Sequence, residues 1–577
     1  MKYKALALGL TAALLLSLTA CLSQPDPDPT PDPSPSVEPS QSAEPSAEIR
    51  DDYPDARTLI LSDDTVTLDG RELSPELADD VVVGHDIVYY QDGTDDTYGE
   101  GTEADMHSAE EATAHTVVTI RKPGTYRVSG KLTAGQLAVD LGSDAKRDPQ
   151  AVVTLILDGV DITCTVAPAV IFYNVYECDT DWVAYDEEET EDYAASPIVD
   201  TSAAGANVVL ADGSVNNISG SYVARIYKEG TTKKLHKYDG AFYSKMSMNI
   251  NGGTEGTGVL NITADNEGLD SELHLTINGG NIYIEADNDG INTNEDGVSV
   301  TTVNGGTLTV NAGLGEEGDG IDSNGHLVIN GGTVYSMASD HSPDGGLDAD
   351  GEILLNGGMV IGLGVRNDTV SADSEQLYME LSFQRSLSAG SVVELAGPNG
   401  AVLFSFTLEK AAQSVILSAP ALEQDVDYTL TVDGVVQQYT GHGFGGFPGG
   451  GGGQPPELPD GQRPDGQQPG DFQPADGQEP PQMPDGQQFD GQEPPERPDG
   501  QRPDGQEPPE LSDGQERPEK PDGQRFDGQE PPEQPDGWQF PEDGGFGGEW
   551  SEGSAEPSET FTLAGGVCSF SGIADRQ

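Results

Sequence analysis

Asn251-Gly252-Gly253, Asn278-Gly279-Gly280, Asn304-Gly305-Gly306, Asn330-Gly331-Gly332 and Asn356-Gly357-Gly358 are one triplet returning five times, with starts 27, 26, 26 and 26 residues apart. A fixed period of this size means stacked structural repeats. Ahead of each triplet the apolar residues alternate, as in Leu275/Ile277, Leu327/Ile329 and Ile353/Leu355. Behind it they alternate again: Ile282/Ile284, Leu308/Val310, and Val334 followed by Met337. Alternation with period two predicts half-buried strands. Asn-Gly between such runs is a turn signal, because both residues accept positive φ, and alone it would suggest hairpins. The spacing argues otherwise. Two short strands, a tight corner and a wider polar loop fill each repeat. Stacked copies then pair each strand with its counterpart in the next turn, which is a parallel β-helix. The many glycines oppose helix. A β-propeller is the alternative, but its blades need about 40 residues or more.

The loop opposite the triplet carries a second motif: Glu267-Gly268-Leu269-Asp270, Asp289-Gly290-Ile291-Asn292, Asp319-Gly320-Ile321-Asp322 and Gly345-Gly346-Leu347-Asp348. With the aliphatic residue inward, the oxygen-bearing residues project outward, rung above rung. Carboxylates stacked at about 4.8 Å repel unless something neutralises them. No Lys or Arg occurs between Lys245 and Arg366, whereas nineteen Asp and Glu do. A hard divalent cation is the natural partner, and calcium takes six to eight oxygens in loose geometry. The candidate ligands are Asp270, Asp289, Asn292, Asp319, Asp322, Asp344 and Asp348. The competing reading is a solvated acidic face whose Asp and Gly serve only turns.

Around this stretch the 577-residue chain divides by composition. Residues 1–21 read as a lipoprotein signal. Lys2 and Lys4 precede an apolar core from Ala5 to Ala20, and Leu18-Thr19-Ala20-Cys21 resembles a lipobox. That resemblance implies a diacylated Cys21 and a lipid anchor on the extracellular face of the cell membrane; ordinary secretion is the alternative. Residues 22–50, rich in Pro, Asp, Ser and Glu, predict an extended spacer. Residues 51–116 are acidic and weakly patterned, with Val81–Val83 and Ile87–Tyr90 as candidate strands. Residues 117–365 form the repeat region, whose first coils are less regular. Within it, Asp179 to Asp192 is an acidic insertion expected to be a loop, and much of the chain's lysine lies between Tyr222 and Lys245. Residues 366–440 predict a β cap. Residues 441–560, with units such as Pro459-Asp460-Gly461-Gln462, predict disorder. Residues 561–577 turn apolar again and suggest a terminal strand returning to the body.

The net charge of −74 disfavours nucleic acid as a partner. The tract at 441–560 holds 28 of the 101 acidic residues, so the charge belongs mostly to the rest. Cys164 and Cys178 could pair or stay free, and Cys568 is left over. Eight scattered histidines give no zinc motif.

Glu317-Gly318-Asp319-Gly320-Ile321-Asp322-Ser323-Asn324-Gly325, followed by Leu327 to Val334, resembles a bacterial family of exported carbohydrate-binding β-helix proteins. Ser418-Ala419-Pro420, Leu422, Tyr428, Leu430 and the glycine run from Gly441 are similar to its C-terminal part. The resemblance covers residues 117–440, with 561–571 as a last strand. It implies an all-β, right-handed parallel β-helix with calcium on its acidic loops, and similarity to polysaccharide lyases. It also implies plant cell-wall polysaccharide as partner, chiefly polygalacturonate (pectin) or cellulose. The chain departs from the pattern in the insertion at 179–192 and in Gly345-Gly346, which puts Asp344 in doubt.

Three functions follow. A polysaccharide binder would use calcium to bridge protein and sugar carboxylates. Neutral cellulose would instead need aromatic platforms; Tyr283 and Tyr335 fall at the same offset from their triplets, two rungs apart, although packing explains them equally. A calcium-dependent pectate lyase needs a Lys or Arg base. Here it could come only from the lysine-rich loop or Arg366. A structural adhesin fits the anchor, spacer and solenoid as well.

Overall fold

The computed structural model describes residues 53–73, 80–91, 101–102, 104–188, 193, 195–227, 234–443, 560–562 and 567–571. Cys21, the spacer at 22–50 and most of the tract at 441–560 lie outside these residues. The protein is all-β, and its strands stack in three ladders that the chain visits in turn.

The first ladder holds the strands ahead of the triplets. Met248–Gly252, Leu275–Ile277, Val300–Val303, His326–Ile329 and Ile353–Leu355 pair in parallel, each with its counterpart one repeat on. The second holds the strands behind them: Val259–Ala264, Asn281–Ala286, Thr307–Asn311, Thr333–Met337 and Met359–Gly364. The third is the acidic segment itself. Gly240–Ser244, Glu267–Ser271, Ile291–Thr293 and Ile321–Ser323 pair in parallel, and Leu347 bridges to Ile321. The segment expected as a wide polar loop is therefore a third strand. Its single aliphatic residue is enough to anchor it: Leu269, Ile291, Ile321 and Leu347 are all fully buried.

The alternating residues face one core. Leu275, Ile277, Leu327, Ile329, Ile282, Ile284, Leu308 and Val310 are buried in a single cluster. Met337 departs from the expected alternation. Ser336 is the inward partner of Val334, and Met337 packs into a second cluster with the cap. Tyr283 and Tyr335 do align two rungs apart through Thr309. Tyr335, however, packs against the cap cluster, and its hydroxyl donates to Thr407 O at 3.4 Å.

The triplet works differently from a hairpin turn. Only its last residue takes positive φ: 97° at Gly280, 85° at Gly306, 84° at Gly332 and 84° at Gly358. The asparagine contributes its side chain instead. Asn278 Nδ2 donates to Asn251 Oδ1 at 3.0 Å, Asn304 to Asn278 at 2.8 Å, Asn330 to Asn304 at 2.9 Å and Asn356 to Asn330 at 3.0 Å. An amide carries both donor and acceptor, so a column of them closes on itself.

The stacking begins earlier than the sequence pattern. Arg57–Leu61 pairs in parallel with Gly124–Leu132, which pairs with Val153–Thr163, which pairs with Ala206–Leu210 and so on to Met248–Gly252. Val81–Gly84 is a strand, as expected, and covers the start of the third ladder in antiparallel fashion. Ile87–Tyr90 is not a strand, although Ile87 and Tyr90 are buried. The insertion after Asp179 is a helix, Thr180–Glu188, and not a loop. Asp179 Oδ1 accepts from Trp182 N at 2.9 Å as a cap, and Trp182 and Val183 dock on Leu273 and Val298. Cys164 and Cys178 are not disulfide-bonded.

At the far end, Ala412–Ser418 pairs antiparallel with both Met359–Gly364 and Tyr378–Leu387, which covers the open edge of the second ladder. Val567–Ser571 returns as expected, lying parallel to Tyr378–Leu387 and antiparallel to Gln438–Gly443, with Val567 opposite Gly443.

Candidate functional site

The third ladder brings the predicted oxygen ligands into two adjacent columns. Strand register places Asp270 beside Asn292 and Asn292 beside Asp322. Asp348 N donates to Ile321 O at 2.9 Å and Ser323 N to Asp348 O at 3.3 Å, so Asp348 continues that column. In the other column, Gly268 N donates to Asp289 O at 2.9 Å, Gly290 N to Asp319 O at 3.0 Å and Gly320 N to Gly345 O at 2.9 Å. Glu267, Asp289 and Asp319 therefore stack, and Gly345 takes the next place.

The glycine between the columns permits close approach of the rungs. A Cβ on Gly290 would stand 2.7 Å from Gly320 O and collide with Val310, and one on Gly320 would stand 2.6 Å from Gly346 O. Rungs packed this tightly draw the carboxylates inward with them. Asp270, Asp289 and Asn292 are buried, contrary to the expected outward projection, while Asp319, Asp322, Asp344 and Asp348 are half-buried.

Some of the oxygens tie one rung to the next. Asp289 Oδ1 accepts from Asp319 N at 2.7 Å, and Asp319 Oδ1 accepts from Gly345 N at 2.7 Å. Asn292 Nδ2 donates to Glu267 Oε1 at 2.9 Å, which leaves Asn292 Oδ1 buried with no hydrogen bond. Two predicted ligands are directed elsewhere. Asp270 Oδ1 accepts from Asn294 Nδ2 at 2.5 Å. Asp344 Oδ2 accepts from Gly318 N at 2.6 Å and from the Ser342 hydroxyl, so it reaches back to the preceding rung.

The electrostatics record the crowding. Burial, then the charges of Asp319 and Asp348, push the Asp322 carboxyl up to about 8. Burial raises Asp319 to about 7, with Asp344 and Asp368 adding to it and the Gly345 N–H opposing. Burial, then Asp319 and Asp368, raises Asp348 to about 7. Asp289 stands well above the usual carboxylate range because of burial and then Asp322 and Asp319. Charge is disfavoured at these four carboxylates. Sequence reasoning missed Asp368, which follows the last full repeat. The Asp368 N–H donates to Leu347 O at 3.2 Å, so it closes the end of the stack.

Among the described residues, no group of three or more His, Cys, Asp or Glu side chains forms a metal cage by itself. An oxygen-ligated ion would therefore draw on Asn292 Oδ1 and backbone carbonyls as well. That mixture, with mutually repelling carboxylates beside a buried amide oxygen, fits a hard cation such as calcium.

A family model described as "Carbohydrate-binding domain-containing protein" matches residues 114–192 and 179–402, together half of the chain. The chain belongs to that family. A curated relative of the same description from Acetivibrio thermocellus is 29% identical over 170 residues, which is 29% of this chain and 45% of the relative. The match thus spans less than half of the relative's length. A solved structure described as a polysaccharide lyase-like protein from C. thermocellum, in a gadolinium derivative, is 20% identical. It covers 52% of this chain and 92% of that one, with a TM-score of 0.27. Within the family match lie all three ladders from Thr116 to Gly364 and every predicted ligand on them.

Proposed function

We propose that the protein is a surface-anchored binder of plant cell-wall polysaccharide, polygalacturonate (pectin) or cellulose. In this reading the three ladders wind as a right-handed parallel β-helix, and the acid columns hold calcium. The observation that carries it is the in-register stack of Asp289, Asp319, Asp322 and Asp348, whose charges repel one another. Asp289, Asn292, Asp319, Asp322 and Asp348 would hold the ion, with Glu267 and Asp368 beside them. Asp270 and Asp344 drop out of the first set because their side chains serve Asn294 and Gly318. Bound calcium would neutralise the columns and offer vacant coordination positions to sugar carboxylates. Cys21 would supply the lipid anchor at the extracellular face of the membrane; among the described residues no helix is long and apolar enough to cross one.

One observation favours a second reading, a calcium-dependent pectate-type lyase. A polar cavity of about 230 Å³ at the start of the acid columns is lined by Arg225 together with Asp239, Glu267 and Asn288. This places an arginine nearer the columns than the sequence suggested. Retention on polygalacturonate gel and on insoluble cellulose, in calcium and in EGTA, tests the binder. Ultraviolet absorbance of unsaturated products tests the lyase. Calcium-dependent retention on polygalacturonate without new absorbance is the expected result. No retention on either polymer would leave a structural adhesin.

A further inference from the structure

The column of asparagines does more than close corners. It forms one wall of a groove of about 860 Å³ that runs across five rungs of the first ladder. Five rungs at about 4.8 Å span roughly 19 Å, the reach of several sugar units and not of one. The floor is the outward column Thr276, Thr302, Val328 and Leu354, whose register is continuous. The other wall is the segment 197–202, which lies along the stack. Thr201 Oγ1 is hydrogen-bonded to Asn249 Oδ1 and Thr276 Oγ1, both at 2.7 Å. Val199 packs on the cluster of Val300, Val328 and Leu354. Immediately ahead of Val199, Ile198 is 86% exposed, an aliphatic side chain held out beside the groove.

The wall's chemistry selects the ligand. Asn278, Asn304 and Asn330 are exposed, and each uses one N–H and its carbonyl oxygen in the ladder. An amide has two donor hydrogens and two lone pairs, so one of each remains per rung. A sugar hydroxyl likewise donates and accepts. The ladder already fixes these side chains, so binding need not order them again. Asp200, Glu352, Asp373 and Glu375 line the groove, and among the described residues no Lys or Arg does. A polyanionic glycan would bring charge against charge, which is discrimination by repulsion. No residue lining the groove belongs to the acid columns.

We propose that this groove is a second, calcium-independent site that binds a neutral polysaccharide chain lengthwise, its hydroxyls on the asparagine ladder and its apolar face toward Ile198. The inference rests on the carbohydrate-binding reading above and assigns a different surface to it. The test is titration calorimetry of the intact protein with a soluble neutral β-glucan and with polygalacturonate, each in calcium and in EGTA. Neutral glucan should bind equally in both buffers. Thr302→Trp, which fills the floor, should weaken it tenfold or more without changing the response to polygalacturonate. Ile198→Asp, at an exposed position that folding does not need, should weaken it about threefold and keeps the test open if Thr302→Trp fails to fold. Neutral glucan bound with unchanged affinity by both variants, or bound only in calcium, would overturn the groove while leaving the family reading intact. No binding of either polymer in any buffer would overturn both.

Discussion

The acid columns and the asparagine column come from the same repeat, two strands apart, and obey opposite rules. The asparagine column is neutral, exposed and complementary to itself, since every amide both gives and takes a hydrogen bond. The acid columns are buried to half-buried and self-repelling, because a carboxylate only accepts when ionised. Repetition therefore stabilises one ladder and strains the other. A stack of identical groups persists unaided when the group can pair with its own copy; otherwise protons or a cation must complete it.

The largest effect should come from the corners. Gly290→Ala in the third ladder meets Val310 and Gly320 O and should cost about 3 kcal/mol by chemical denaturation, whereas Gly279→Ala beside the asparagines meets only ordinary van der Waals contact, with Gly252 N at 3.4 Å, and should cost under about 0.5 kcal/mol. Equal costs would mean that the two corners are equally tight.

Next comes removal of calcium, read against pH. Asp319, Asp322 and Asp348 titrate at about 7, 8 and 7 in the fold against 3.8 ordinarily. The folded state then keeps protons that the unfolded chain loses, so stability in EGTA falls as pH rises from about 4 to about 8. Calcium competes with those protons, so it should stabilise little at pH 5 and by about 2.7 kcal/mol at pH 8 when present at a hundredfold its Kd. A melting temperature indifferent to both calcium and pH over this range would remove the acid columns from the functional argument.

Asp322→Asn should change sign with buffer. In EGTA at pH 8 it relieves repulsion and should stabilise by about 1 kcal/mol after allowance for solvent screening; in calcium it should weaken metal-dependent stabilisation. Smaller still, Asn304→Ala should cost about 1 kcal/mol or less through two lost ladder bonds, by the same amount with and without calcium. A calcium-dependent cost there would show that the two ladders are coupled.

Much of this was legible because the repeat carries its own register. The inward residues, the stacked Asp270, Asn292, Asp322 and Asp348, and the returning strand at Val567 all follow from spacing and alternation. What the sequence hid was long-range or one-sided. Arg57–Leu61 pairs with residues some seventy positions away, across a segment without pattern. The acidic segment has only one apolar residue per rung, too few to show an alternation, so its strand was invisible. The burial of Asp270 and Asp289 depends on how closely glycines let the rungs approach, which composition does not state. Asp368 lies beyond the last triplet. The groove needs residues 197–202 beside residues 251–356, a juxtaposition that only the winding of the chain creates.

Val567 sits opposite Gly443 in adjoining strands and Thr562 pairs with Asp427, so the residues on both sides of the long Pro-Asp-Gly-Gln interval are held in the body's sheets. A protease cut anywhere within that interval would not shed the C-terminal fragment. The two pieces would run as one particle on a sizing column and as two bands only after denaturation, so nicked protein would pass for whole in any native assay.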